Sequence, residues 1–300
     1  MNRKAEQAVI PRVGFDPPRD YALALEVMSA NEWFERVPED HFKHPTRLEF
    51  YQLVLVTQGQ FGHMLDFNLL TAPQGTLLVM RSGQVQRFAP DQAWGGWVAL
   101  FPPEALPPTD QLSALAPALS VHDLPAQLPL EPASLEAARQ TFEQMHQDTT
   151  QRGALAGHTL HLNALVRTQL HSLLLRLHLV AAQQSTERGD TTQARQFKRF
   201  RDATEKHLHE WHQISTYANA LGMSEKTLTR ATQAMTALSA KAYLSQRIAL
   251  EAKRVLAHTP RPIAQVADQV GITEPSNIIK FFQSEVGCAP SAFRKQHGWR

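Results

Sequence analysis

The sequence predicts an α+β chain: a small β-barrel or jelly roll near the N-terminus, a helical segment suited to dimerisation, and an all-α C-terminal domain. Three observations support this prediction. Short strand-like runs divided by glycine turns fill residues 47–101. Strongly helical sequence begins near Ser134 and continues to about residue 182. A pattern of short helix, glycine and second helix then occurs twice, with Gly222 and Gly271 at the two corners.

The composition is that of a folded chain with room for two domains. The 300 residues are 43% hydrophobic and 19% charged, and this length exceeds that of a typical single domain. The N-terminal sequence lacks the apolar core of a signal peptide, and no run reaches the roughly 20 apolar residues that span a bilayer. The single cysteine, Cys288, cannot form an internal disulfide. We therefore expect a cytoplasmic protein without a membrane segment.

Charge is distributed unevenly along the chain. Residues 197–300 contain 15 Lys and Arg against 8 Asp and Glu, whereas residues 1–196 contain 15 against 20. The C-terminal region therefore has a net charge of +7, and the N-terminal region has a net charge of −5. Chance fluctuation can produce such a split. The alternative is a basic module that meets a polyanion, joined to an acidic module with another role.

The N-terminal region has the strand and turn pattern of an all-β domain. The run LEFYQLVLVTQGQFGHMLDF predicts a hairpin that reverses at Gln58-Gly59-Gln60. Two further turns are predicted at Gln74-Gly75 and Ser82-Gly83, and a later strand is expected to end at Pro102-Pro103. Several short strands of this kind favour a small barrel or jelly roll. The proline-rich residues 107–132 are expected to act as a connection and not as a component of the core.

The helical segment carries an apolar stripe. Its members recur at steps of four and three: Val166, Leu170, Leu173, Leu177 and Val180. Such a stripe is typical of a helix packed on another helix, which could belong to a second subunit. The same side chains could instead pack against the barrel of their own chain.

A polar segment separates these helices from the rest of the chain. Residues 183–194 contain no large apolar side chain, so they are expected to form a solvated linker. The predicted domains are therefore a β domain at 1–130, a helical dimerisation segment at 131–183 and an all-α domain at 195–300.

The repeated pattern predicts two helix-turn-helix units. In the first copy a short helix ends at Gly222, which suits a left-handed C-cap, and Ser224 caps the next helix. In the second copy Gly271 ends the first helix, Thr273 takes the capping role and Pro275 occupies the first turn. Two such units in a basic domain make DNA the expected ligand.

A helix capped at Ser239 and stopped by Pro260 separates the two units. Its roughly 18 residues would extend about 27 Å at 1.5 Å per residue. Adjacent major grooves on one face of B-DNA recur about every 34 Å. A rigid helix of this length would hold two reading helices about one turn of DNA apart, on a site that is bent or slightly deformed. This requires both units to face the same way.

This C-terminal region resembles the DNA-binding domain of the AraC/XylS family of bacterial transcription regulators. The words that carry the resemblance are YANALGMSEKTLTRA, LSAKAYLSQRIALEAKRVLAHT, PIAQVADQVGI and FFQSEVGCAPSAFRK. The preceding β region is similar to the cupin-like effector-sensing domain that is often joined to it. The resemblance implies a sequence-specific regulator that binds double-stranded promoter DNA, forms a homodimer, contacts RNA polymerase and responds to a small-molecule effector.

Carried over position by position, the resemblance implies six reading residues: Lys226, Thr229 and Arg230 in the first unit, and Ser276, Asn277 and Lys280 in the second. Arg230 suits a bidentate contact with guanine, and Asn277 suits one with adenine. Lys226 and Lys280 suit phosphate contacts, which add affinity with little sequence content. The alternative for each residue is an ordinary solvated helix face.

The chain departs from the family pattern at a few positions. Thr232 stands where an aromatic residue is usual, and Ala237 replaces the glycine that usually follows the first recognition helix. In the second unit Asn277 and Ile278 replace a start that usually contains an aromatic residue. These departures are compatible with the fold and affect which bases are read.

The β domain lacks a metal-ligand pattern. A cupin metalloenzyme presents two or three histidines and a carboxylate on adjacent strands. Here His44 is followed by Thr46 where a second histidine is wanted, Gln86 stands where a later histidine is usual, and His63 has no spaced partner. We therefore expect no catalytic metal and no other cofactor.

A barrel without a metal can still hold a small molecule in its mouth. Five side chains in strand-like words combine aromatic faces with hydrogen-bonding groups and are candidate effector contacts: Tyr51, Arg81, Gln86, Arg87 and Trp97. Alternation leaves open which of them point inward. The two arginines would suit an anion or a polyol.

Two other functions fit segments of the sequence. A cupin-type small-molecule-binding protein or enzyme with an accessory helical domain would need a metal or a spaced acid–base pair, and the barrel sequence shows neither pattern. A structural DNA-bending protein without an effector would bind DNA independently of its sequence. The preferred function is a DNA-binding regulator without enzymatic activity.

Overall fold

The computed structural model describes residues 12–17, 21, 23–37, 45–88, 93–107, 119–150, 157–184, 191–272 and 274–297. The chain divides into two compact units, with the boundary between Ser185 and Thr186. The N-terminal unit contains all the strands in the described ranges, and the C-terminal unit is helical. Within those ranges, no helix is long and apolar enough to cross a membrane.

The N-terminal unit is built on two β-sheets that share one long strand. In chain order the strands are β1 (Arg12–Val13), β2 (Glu26–Ser29), β3 (Thr46–Leu48), β4 (Tyr51–Leu65), β5 (Asn68–Pro73), β6 (Thr76–Met80), β7 (Val85–Phe88), β8 (Trp94–Phe101) and β9 (Gln127–Pro129). One sheet has the order β1-β3-β7-β4-β5 and the other β2-β8-β4-β6-β9. The pair of β1 and β3 is parallel, and the other pairs are antiparallel. The sheets curl into a half-barrel, which confirms the predicted α+β class.

The predicted hairpin at Gln58-Gly59-Gln60 is wrong. Strand β4 runs through these residues without reversing, and its register against β8 shifts between Val56 and Gln58. Gly59 has a φ of 68°, and a Cβ atom on it would lie 2.3 Å from the Ala93 carbonyl oxygen. The extra residue of β4 in this register is Thr57, which forms a β-bulge two residues before the glycine. The glycine admits the close approach of Ala93, and beyond it β4 pairs with β5 and β7 of the other sheet.

The other predicted turns are present. The chain turns at Gln74-Gly75 and at Ser82-Gly83, and β8 ends at Phe101 before the two prolines. The reversal that was expected at Gly59 occurs at Asp66 and Phe67, whose φ values of 49° and 71° make the tight turn into β5. Residues other than glycine rarely adopt this backbone conformation, so the sequence does not predict a tight turn at Asp66 and Phe67.

Alternation along β4 divides the core of this unit in two. Leu53 and Leu55 lie in an outer core between sheet and helices, whereas Val54 and Val56 lie in an inner core between the sheets. All four are completely buried. The inner core is rich in aromatic residues: Trp33, Phe50, Phe61, Phe88 and Trp94. Burial on both faces explains why this strand reads as a continuous apolar run.

Three helices complete the unit: α1 (Ala30–Arg36), α2 (Pro132–Thr150) and α3 (Thr159–Gln184). The apolar stripe of α3 lies in the outer core, where Val166, Leu170, Leu173 and Leu177 are at most 2% exposed. Val180 packs against the same core and is partly buried. The stripe therefore packs within its own chain and is not available to a second subunit.

The proline-rich connection contributes to the core, contrary to the expectation for residues 107–132. In the described stretch of that segment, Leu119, Val121 and Leu124 are at most 2% exposed and belong to the outer core. Strand β9 pairs with β6. The segment therefore covers a sheet edge that would otherwise expose unpaired backbone groups.

The C-terminal unit contains the helices α4 (Thr192–His207), α5 (Ile214–Leu221), α6 (Glu225–Thr236), α7 (Ala240–His258), α8 (Ile263–Gln269), α9 (Pro275–Val286) and α10 (Pro290–His297). Helix α4 begins behind Thr191, whose hydroxyl accepts the Ala194 N–H at 3.1 Å, before the predicted domain start at residue 195. Phe200 of α4 packs against Tyr217 and Tyr243. Helix α4 therefore helps to support the first helix-turn-helix unit.

The first predicted corner is present as expected. Gly222 ends α5 in the left-handed conformation, with a φ of 65°. The hydroxyl of Ser224 accepts the Thr227 N–H at 3.1 Å and caps α6. The corner and cap follow from local sequence signals alone.

The second corner has the same glycine and a different helix start. Gly271 follows α8 with a φ of 75°, and Pro275 is the first residue of α9. The residue before α9 is Glu274, whose side chain makes no capping hydrogen bond. The expected cap, Thr273, lies outside the described residues.

Helix α7 joins the two helix-turn-helix units. It begins behind Ser239, whose hydroxyl accepts the Ala242 N–H at 3.1 Å. Helices of both units pack on it, and its buried side chains include Leu244, Ile248, Val255 and Leu256. Its 19 residues extend about 28 Å at 1.5 Å per residue.

The loop that precedes the first helix-turn-helix unit also contacts the glycine corner of the second helix-turn-helix unit. The His209 Nδ1 atom lies 2.7 Å from the Gln269 carbonyl oxygen at the end of α8. A Cβ atom on Gly271 would lie 2.1 Å from the His209 carbonyl oxygen and 2.7 Å from the His212 ring. We call this packing of His209 and His212 on Gly271 the loop–corner contact. Only glycine permits it, because a side chain would occupy the same space.

We predict that Gly271→Ala destabilises the C-terminal unit more than Gly222→Ala does. A Cβ atom at position 222 meets no atom within 4 Å, so that change costs only the left-handed conformation, about 1–2 kcal/mol. At position 271 the overlap with His209 adds about 1–3 kcal/mol of overpacking. Urea unfolding of the full chain, followed by far-UV circular dichroism, measures both losses. Equal losses for the two variants would contradict the loop–corner contact.

Candidate nucleic-acid interface and barrel cavity

Helix α6 presents a polar face to solvent. Lys226 and Arg230 are exposed and Thr229 is half-buried, whereas Leu228 and Thr232 are at most 1% exposed. Positions three and four residues apart share one face of a helix, so the three predicted reading residues of this unit lie together. The buried residues on the opposite face, Leu228 and Thr232, seat the helix in the core.

Helix α9 has the same arrangement. Ser276, Asn277 and Lys280 are exposed, whereas Ile278 and Phe282 are completely buried. The structure therefore places the predicted reading residues of the second unit on one exposed face.

The two predicted reading helices, α6 and α9, correspond position by position. Leu228 matches Ile278, and Thr232 matches Phe282; all four are buried. The Thr232 hydroxyl donates to the Leu228 carbonyl oxygen at 2.8 Å. This hydrogen bond satisfies the buried hydroxyl, which explains how threonine occupies a position where an aromatic residue is usual.

The correspondence continues to the ends of the helices. Ala237 follows α6 with a φ of 61°, and Gly287 follows α9 with a φ of 82°. The N–H of Ala237 donates to the Gln233 carbonyl oxygen, and that of Gly287 to the Gln283 carbonyl oxygen. Replacing the usual glycine by Ala237 therefore keeps the left-handed cap, at a steric cost that glycine avoids.

Sequence reasoning missed three exposed residues on these faces: Gln233, Ile279 and Gln283. Gln233 lies about one turn beyond Arg230, and Gln283 lies about one turn beyond Lys280. The glutamines occupy matching positions, so aligning the two copies would have revealed them. Ile279 is 41% exposed, and nothing in the sequence separates it from the buried isoleucine before it.

The cations on the two reading faces are available to a ligand. Within the described stretches of the chain, Lys226, Arg230 and Lys280 form no ion pair. Elsewhere in this unit, Arg247 is held by Glu205 through two hydrogen bonds of 2.8 Å each. Positive charge on the reading faces can therefore meet phosphates or base edges.

A cavity of about 410 Å³ opens into the inner core of the N-terminal unit. This volume lies in the range of small-molecule sites, roughly 300–1,000 Å³. Its apolar lining includes Met28, Trp33, Phe50, Phe88 and Leu100. Its polar lining consists of Arg12, Asp16, Glu26, Arg36, Gln52 and Gln86.

Of the five predicted effector residues, Gln86 lines this cavity. Tyr51 belongs to the outer core, and its hydroxyl lies 3.2 Å from His122 Nε2. Arg81 donates a hydrogen bond to the Leu124 carbonyl oxygen, also beside the outer core. These two side chains do not belong to the cavity lining.

Arg87 and Trp97 also lie outside the cavity lining. Arg87 follows Gln86 on β7, so alternation turns it to the opposite face, where it is exposed. Trp97 packs against the outer core, and its ring centroid lies 5.3 Å from that of His146 on α2. Which face of each strand is inward becomes known only once the two cores are located.

The inner core holds the histidine that had no spaced partner. His63 is completely buried, and burial lowers its pKa to about 3, so the imidazole is neutral at neutral pH. Among the residues that the structure describes, no group of three side chains could hold a metal ion. His44 lies outside those residues.

Comparison with known proteins finds a matching family model in each of the two compact units. A family model described as "Helix-turn-helix domain" matches residues 217–296, and one described as "AraC-like ligand binding domain" matches residues 34–174. The HTH-type transcriptional activator RhaS of Enterobacter sp. (strain 638) is 24% identical over 290 residues, which are 96% of this chain and 97% of that protein. The HTH-type transcriptional activator RhaR of Salmonella dublin is 23% identical over 262 residues, which are 87% of this chain and 89% of that protein.

A solved structure is also similar over much of its length. Fatty-acid-bound ToxT from Vibrio cholerae strain SCE256 aligns with 83% of this chain and 87% of its own, with 10% identity and a TM-score of 0.39. The assignment of a family depends instead on the two family models and on the relatives, which are regulators of transcription and not enzymes. The chain belongs to the AraC family of DNA-binding transcription regulators, with a helix-turn-helix domain that follows a ligand-binding domain.

Proposed function

We propose that α6 and α9 read neighbouring major grooves of a promoter site, and that a small molecule in the barrel cavity controls this binding. The observation that carries the proposal is the pair of matched exposed faces on two helices that are seated on one helix, α7. Two reading helices on a common support recognise a longer site than either alone. An effector that prefers one conformation of the chain then shifts the population of DNA-competent molecules.

The predicted reading residues take different roles in this proposal. Arg230 forms a bidentate contact with guanine O6 and N7, and Asn277 pairs with adenine. Lys226 and Lys280 neutralise phosphates, which fixes the position of the protein on the duplex. Thr229 and Ser276 contribute hydroxyl contacts to bases or phosphates.

The three residues found from the structure extend the reading faces. Gln233 and Gln283 each have the amide that pairs with adenine N6 and N7. Ile279 is an apolar side chain on an otherwise polar face, and such a side chain suits the methyl group of thymine. We therefore assign Ile279 to a thymine in the half of the site that α9 reads.

Effector binding is assigned to the cavity of the inner core. The family model that covers residues 34–174 describes a ligand-binding domain, and the cavity has the size and mixed lining of a small-molecule site. Gln86 is retained from the predicted effector residues because it lines the cavity, and Gln52 joins it.

Dimerisation is assigned to the exposed face of α3. The buried stripe is occupied within the chain, but Leu165 is 46% exposed and Leu179 is 66% exposed. These leucines lie two heptads apart, so they share a face that suits packing on a second copy of the helix. A dimer would place two DNA-binding units on one promoter.

Transcriptional activation is the proposed outcome of binding. The relatives RhaS and RhaR are named transcriptional activators. We propose that this chain acts in the cytoplasm, and activates by contact with RNA polymerase once it is bound to promoter DNA.

Arg230→Ala and Lys226→Ala should weaken DNA binding in different ways. Loss of a bidentate base contact should cost about 1–3 kcal/mol on the selected site and relax preference at one base pair. Loss of a phosphate contact should weaken binding to every sequence and lower the salt slope by about 1. Sites selected from a random DNA pool, and their single-base variants, are titrated by fluorescence anisotropy at several salt concentrations. If Arg230→Ala weakened binding equally on every DNA sequence, Arg230 would be a phosphate contact and not a base contact.

The double substitution Leu165→Asp with Leu179→Asp should convert the dimer to a monomer, because it places charge in an apolar contact. The control is Leu69→Asp, which changes a leucine that is 67% exposed on strand β5. Sedimentation equilibrium of the full chain measures the mass. A wild-type monomer, or a dimer that survives the double substitution, would reject this assignment.

A further inference from the structure

Two glutamines in the inner core have buried polar atoms that no hydrogen bond reaches from the residues that the structure describes. These atoms are Gln52 Nε2 and Gln86 Oε1, and the two residues are only 1% and 5% exposed. The buried His63 ring lies next to Gln86 but outside hydrogen-bond geometry, since both of its ring nitrogens are likewise unpaired among the described residues. An unpaired buried polar atom costs about 1–3 kcal/mol. Folded proteins therefore pair such atoms, and an exception needs a reason. Both glutamines line the cavity, which gives that reason: a ligand supplies the missing partners.

Both arginines of the cavity lining have carboxylate partners. Glu26 is 5% exposed and forms an ion pair with Arg36, which also donates to the Asp16 carbonyl oxygen at 3.1 Å. Arg12 lies 3.4 Å from Glu49. An anionic ligand would have to compete with a buried carboxylate for Arg36, and separating a buried ion pair is costly.

The rest of the lining is largely apolar. Trp33, Phe50 and Phe88 contribute aromatic surface, and the Trp33 and Phe88 rings pack edge to face at 4.9 Å. A molecule with hydroxyl groups on every side would leave several of them unpaired against these walls. A ligand with an apolar body and one polar end fits this distribution.

We propose that the cavity binds an uncharged molecule that has an apolar body and one amide-like group. The amide oxygen accepts from the carboxamide of one glutamine, and the amide N–H donates to the carboxamide of the other. In the structure the donor is Gln52 Nε2 and the acceptor is Gln86 Oε1, and an amide ligand matches this combination of one donor and one acceptor. The inference rests on the proposed effector role of the cavity. It replaces the anion or polyol that Arg81 and Arg87 suggested, because these arginines lie outside the cavity lining.

The test compares probes of similar shape and different charge. 2-Naphthamide, 2-naphthoate and sorbitol are titrated into the full chain at pH 7 by isothermal calorimetry, with saturation-transfer NMR as a second readout. We expect naphthamide to bind at least ~10-fold more tightly than naphthoate or sorbitol. Gln52→Leu and Gln86→Leu should each weaken its binding about 10-fold, as loss of one hydrogen bond predicts. The control Gln60→Leu, exposed on the same strand β4, should leave binding unchanged.

Thermal unfolding separates lost contacts from lost structure. The two leucine variants remove an unpaired buried polar atom, so neither should melt below the wild type. Equal or tighter binding of naphthoate or sorbitol, no binding of naphthamide, or unchanged binding by both leucine variants would overturn the inference. Specific DNA binding by the same samples tests the proposed function separately. If it persists while naphthamide fails to bind, only the ligand class is wrong.

Discussion

The loop–corner contact is the constraint on which the arrangement of the two proposed reading helices, α6 and α9, depends. Helix α7 supports both units, but a single helix between them would allow one unit to pivot about it. The packing of His209 and His212 on Gly271 adds a second point of attachment. Since a Cβ atom at that corner would overlap a backbone oxygen, the attachment requires glycine. Two points of attachment fix the direction in which α9 faces relative to α6.

The ligand-binding unit depends on a glycine in a similar way. At Gly59 the Ala93 carbonyl oxygen lies where a side chain would be, and β4 passes from one sheet to the other there, just after the bulge at Thr57. The inner core and its cavity lie between those two sheets, so the bulge creates the space that holds Gln52 and Gln86. In both units, a backbone oxygen packed against a glycine positions the residues to which we assign function.

Local signals made the DNA-binding half of the molecule predictable. Ser224 and Ser239 cap helices as expected, and the six predicted reading residues lie on exposed or half-exposed faces because helical periodicity alone decides the face. Features that depend on distant partners were not predictable. Gly59 is compatible with a turn or with a strand that continues, and only the pairing of β4 with β8 shows that the strand continues past a bulge at Thr57. For the same reason, the effector residues could not be chosen before the inner and outer cores were known.

The central claim is that the two reading helices are held at a fixed separation on one support. The most direct test changes the distance between the two halves of a selected DNA site, by inserting about 5 base pairs, half a helical turn, between them. Affinity measured by fluorescence anisotropy should fall to that of a site with one half deleted, and should partly recover when a full turn is inserted and DNA bending can bring the halves together. An affinity that does not change with the spacing would show that the two helices act independently and would contradict the account.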